Sequence, residues 1–70
     1  MNYSFYLFSK LFDVVINLEC EYDVMHEFIN DLFNDFEFSK YNDSNLGEYE
    51  CMVKFLTENK QVITKQFNKL

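Results

Sequence analysis

The sequence predicts an all-α protein, a compact bundle of four to five short helices in a single domain over residues 1–70. Three observations lead there. Apolar residues recur at helical spacing, most clearly in Asp23 to Lys40, where Val24, Phe28, Leu32 and Phe36 stand four apart with Met25, Ile29 and Phe33 beside them. There is no Pro and one Gly, Gly47, so helix breakers are scarce. Nine Phe and five Tyr, each able to bury about 150–250 Å², supply the apolar area that a chain this short otherwise lacks.

Taken in order, Ser4 is placed to cap a first helix running to about Leu18. Phe5, Phe8, Phe12 and Val15 share one face of it, flanked by Leu11 and Leu18. The β-branched run Val14-Val15-Ile16 weakens its last turn. Asn17 to Tyr22, polar and acidic, is the connection. Asp23 then caps a second helix, its carboxylate suiting the positive end of the helix dipole. Glu37 to Gly47 is rich in Ser, Asn and Asp and reads as a loop, with Phe38 and Tyr41 folding back onto the core. Asn45 and Glu48 have capping-box spacing. They open a third helix, Leu46 to about Glu58, that buries Tyr49, Met52, Val53 and Leu56 with Phe55 close by. Asn59 is a break, and a last helix from Lys60 buries Val62, Ile63, Phe67 and Leu70.

Several of these residues also form an ordered pattern. Ser4, Phe5 and Tyr6 open it; Phe28, Phe33, Asp35, Phe38, Ser39 and Lys40 follow; Glu48 and Tyr49, then Phe55, Leu56, Thr57, Glu58 and Asn59, close it. Over roughly Ser4 to Asn59 the chain resembles the YozE SAM-like family, small proteins of low-GC Gram-positive bacteria and their phages. Ser39 stands where that family has Pro, Glu48 where it has Asp, and Thr57 where Glu is usual. The loop after the first helix and the Lys40–Glu48 loop are also longer than the family's. The resemblance implies a SAM-like helical fold and brings no established activity with it.

Charge is unevenly placed. Residues 1–59 carry all twelve acids against three lysines, a net −9, while Lys60, Lys65 and Lys69 give residues 60–70 a net +3. Arg is absent and the whole chain stands at −6. Nucleic-acid binders need a basic face, usually with Arg on phosphates and base edges, so the balance disfavours DNA or RNA and suits a basic protein partner. Asp23, Glu27, Asp31 and Asp35 recur every four residues as an acidic row on the second helix, although like charges at that spacing repel by a few tenths of a kcal/mol. Such a row is either a solvated face, relieved in part by the C-terminal lysines, or a docking surface. Carboxylates alone at this spacing hold a divalent metal only weakly. These four acids together with Tyr41 are the expected partner-binding residues, and Tyr3, Tyr6 and Tyr22 are rim or interface residues of the same kind.

Chemistry is sparse. His26, on the polar side of the second helix, has no nucleophile or orienting partner in a recognisable pattern. Cys20 and Cys51 lack zinc-ligand spacing, and Cys51 reads as a small core residue. No glycine-rich phosphate loop or dinucleotide fingerprint is present. The expectation is therefore a non-enzymatic interaction module without metal or cofactor, binding another protein through the acidic face, or binding itself. Two alternatives stand beside it: a helix-turn-helix-like nucleic-acid binder using Lys54, Lys60, Lys65 and Lys69, and an acidic nucleic-acid mimic that blocks a basic enzyme. The first eighteen residues, with Lys10, Asp13 and no basic start, are expected neither to direct secretion nor to span a bilayer. Two cysteines without a disulfide framework fit the reducing cytoplasm.

Overall fold

The computed structural model describes residues 3–37 and 45–69, and four helices are present among them. They are α1 (Tyr3–Val15), α2 (Tyr22–Glu37), α3 (Glu48–Glu58) and α4 (Lys60–Asn68), and there is no strand among the described residues. The radius of gyration is 11.5 Å, close to the about 11 Å of a compact chain of this length. Helix α1 packs on both α2 and α3, and α3 packs on α4.

The core is built around the α1 face that the periodicity singled out. Phe8 and Phe12 are buried on it with Leu11, and the buried Ile16 follows just beyond the helix end. The Phe8 ring meets Phe33 at 5.3 Å and Phe36 at 5.7 Å from α2, and Phe55 at 6.3 Å from α3. Phe36 and Phe55 close that triangle edge-on at 5.4 Å. A second line of rings runs outward from Phe12 to Phe28 at 6.1 Å and on to Phe67 at 5.2 Å, tying α4 to α2. These are the tilted and edge-to-face arrangements that aromatic quadrupoles favour.

Element ends depart from expectation for local reasons. Helix α1 starts at Tyr3, so Ser4 lies inside the first turn and is not its cap. It ends at Val15 and not Leu18, because Asn17 turns left-handed (φ 54°) and donates its backbone N–H to the Phe12 carbonyl at 3.3 Å. Asn is one of the few residues that enters this region at low cost, which makes it a natural helix terminator. Helix α2 starts at Tyr22; the Glu21 carbonyl accepts the Met25 N–H, so Asp23 sits in the first turn, near the dipole but not as the cap. Helix α3 starts at Glu48, with Gly47 as a cap that makes no side-chain hydrogen bond, so the expected Leu46 start and Asn45–Glu48 capping box do not occur. Asn59 does break the chain. Its backbone N–H and its Nδ2 both donate to the Phe55 carbonyl, at 3.1 and 2.9 Å, while its own carbonyl accepts the Ile63 N–H at 2.8 Å.

Burial also corrects three assignments. Val24, expected on the apolar face of α2, is 42% exposed. Tyr49 is 57% and Val62 54% exposed, although both were expected in the core. Cys51 and Ile63, by contrast, are buried as expected, and Phe67 packs against the core from its edge. Phe38, Ser39, Lys40, Tyr41 and Leu70 lie outside the described residues.

Candidate functional site

Helix α2 is laid out in rows four residues apart, and each row does something different. Met25, Ile29, Leu32, Phe33 and Phe36 are buried against the neighbouring helices. The apolar arc is wide, and packing centres it on Met25, Ile29 and Phe36, flanked by Leu32 and Phe33, with Val24 and Phe28 pushed to the margin. Asp23, Glu27, Asp31 and Asp35 are all exposed. Lys60, Lys65 and Lys69 are exposed as well, and no ion pair joins them to the acidic row among the described residues.

A third row was not recognised from the sequence. Tyr22, His26, Asn30 and Asn34 are also four apart, each one position before an acid, and all four are exposed. They form one wall of a groove of about 740 Å³ between α1 and α2. The facing wall comes from α1: Tyr6, Ser9, Lys10 and Asp13. The floor is Phe5, Met25, Ile29 and Phe33, and Glu37 stands at the C-terminal end of α2. None of the four acids of the expected site lines this groove. The acidic row lies on the neighbouring ridge of the same helix, and Tyr41 lies outside the described residues.

Ring contacts hold the groove walls. The His26 imidazole stacks on Tyr22 at 5.6 Å with 25° between planes, and meets Phe5 edge-on at 5.5 Å. Phe5 in turn meets Phe33 edge-on at 5.5 Å. Across the groove, Lys10 Nζ lies 5.4 Å from the centre of the Tyr6 ring, within the range of a cation–π contact. His26 is thus an exposed residue, as expected, but one fixed in orientation by two aromatic neighbours. Tyr3, Tyr6 and Tyr22 are exposed.

Cys20 is exposed and Cys51 buried, both as free thiols. Among the described residues no group of three or more His, Cys, Asp or Glu side chains is placed to hold a metal ion. No helix among them is long and apolar enough to cross a membrane. The arrangement defines a small helical bundle whose second helix offers an acidic ridge beside a groove lined by polar and aromatic side chains. Compared with protein-family models, with curated proteins and with solved structures, the chain finds no match.

Proposed function

We propose that the chain is a divergent YozE SAM-like protein acting as a non-enzymatic interaction module that docks a basic protein partner on the exposed face of α2. One observation carries this reading: Asp23, Glu27, Asp31 and Asp35 all remain in solvent along a single 16-residue helix. Their mutual repulsion works against that helix, so a helix selected only for stability has no use for all four. Opposed to a basic surface, the same row accelerates encounter and fixes register. A second copy of this chain brings the same negative row and is repelled from it, which favours a different protein over self-association through this face.

The family reading rests on residues that hold the fold. Phe5 and Phe33 are in ring contact, Phe55 and Leu56 are buried, and Asn59 joins α3 to α4. A likeness carried by such residues bears on architecture and says nothing of a reaction.

The test is capture of host proteins on immobilised protein across a salt series, with Glu27→Lys/Asp31→Lys as the reversed variant and Glu50→Lys, on the exposed start of α3, as control. The expected result is a basic partner released at moderate salt, lost with the double reversal and kept with the control. Equal capture by the reversed variant sinks the reading.

A further inference from the structure

Helices α3 and α4 are parted by one residue. Asn59 stands alone between Glu58 and Lys60, and its backbone (φ −108°, ψ 11°) is only about 50° in each dihedral from a helical residue. The hydrogen bonds on either side of the break already reach four residues back, from the Asn59 N–H to the Phe55 carbonyl and from the Ile63 N–H to the Asn59 carbonyl. No Pro or Gly lies between Glu48 and Leu70, so no residue type there forbids a single helix from Glu48 to Asn68, about 32 Å long.

The side chains keep step with such a helix. At about 100° per residue, Met52, Phe55, Leu56, Ile63 and Phe67 would lie within about 120° of one another on an unbroken helix. These are core residues: Met52, Phe55, Leu56 and Ile63 are buried, and Phe67 packs at the core's edge. The apolar stripe thus crosses Asn59 in phase, although the break there folds α4 back so that Phe67 meets Phe28 at 5.2 Å.

Ile63 and Phe67, four residues apart, are what seat α4 on the rest of the bundle. A second copy of the chain carries a segment of identical shape for that seat. Straightening Asn59 lifts α4 from its own seat and presents it to a second copy, which offers its own α4 in return. Both seats are then filled, every contact of the seat is kept, and association closes at two chains. We propose that two copies of this chain exchange α4, each running α3 on through a helical Asn59 so that Ile63 and Phe67 of one copy fill the seat of the other. The contact is made by the core side of α4 and not by the acidic row of α2, so it stands independently of docking to a basic partner.

The test compares Asn59→Ala with Asn59→Gly in the full chain. Both lose the side-chain bond to the Phe55 carbonyl, and they differ in their preference for a helical hinge. With two hinges per dimer, Asn59→Ala is expected to dimerise at about 20-fold lower concentration than Asn59→Gly, read by sedimentation after refolding at low and high concentration. Wild type is expected to form the same dimer more weakly than Asn59→Ala. In dimers refolded from equal amounts of ¹³C-labelled and unlabelled chains, isotope-filtered spectra are expected to show Phe28 of one copy against Phe67 of the other. Equal dimerisation of the two variants overturns the exchange, as does a wild type that stays monomeric after refolding at high concentration. A dimer whose Phe28–Phe67 contact remains within one chain overturns it as well.

Discussion

Asn59 shows how much a single residue can settle. Its main chain ends α3 and begins α4, and its side chain adds a second donor to the Phe55 carbonyl, which already accepts the Asn59 backbone N–H. Asn59→Ala removes that donor and the local preference for a broken helix, and is expected to cost about 1 kcal/mol, read as a lower urea midpoint with unchanged slope. The break at Asn59 was legible because Asn is poor in helix interiors for a reason that acts locally. Asn17 acts just as locally, yet its left-handed turn was not read, because a polar connection of several residues offers many places to stop. Tyr49 and Val62 failed differently. Each is apolar by type and sits at a plausible spacing, but its exposure is set by where the next helix lies, which no local property contains.

At the scale of the element, α2 carries both the clearest pattern and the clearest internal conflict. Its first turn has Asp23 where the dipole favours an acid, but its last turn contains no basic residue and includes Asp35. Asp35→Lys exchanges repulsion with Asp31 for attraction and places a cation where the dipole favours one. It is expected to stabilise by about 0.5–1 kcal/mol, with the gain shrinking as salt is added; thermal melts at low and high salt check both parts. A stabilising reversal that also weakens partner capture would show that the row is kept for binding. The existence and type of α2 were legible because seven apolar residues at three- and four-residue spacing admit no other regular structure. Its buried centre was not, since an arc holding both Val24 and Met25 can rotate until α1 and α3 decide. The row Tyr22, His26, Asn30 and Asn34 was present as a period, but a period becomes a wall only when α1 supplies the other side.

For the whole molecule, the four helices are held very unequally. A chain of 70 residues has a net stability of about 4–10 kcal/mol. Phe8 touches rings from α2 and α3 at once and is fully buried. Phe8→Ala therefore removes about 3–5 kcal/mol from a contact that belongs to no single helix. Helix α4 is the opposite case. It has nine residues, too few to persist alone, and Ile63, 1% exposed, is its one buried residue. Ile63→Ala costs about 2–5 kcal/mol, yet the main loss is docking of α4 onto a core that otherwise stays closed. The two variants thus separate global from local stability. Hydrogen exchange is expected to show amides of α1, α2 and α3 accelerating together in Phe8→Ala. In Ile63→Ala the amides of α4 should accelerate first and most, because a short helix left with only the edge contact of Phe67 opens below the free energy of global unfolding. Uniform acceleration across all four helices in Ile63→Ala would mean that α4 is part of the cooperative core. The ring line from Phe12 through Phe28 to Phe67 would then be what holds it there, and Phe67→Ala would reproduce the same uniform loss.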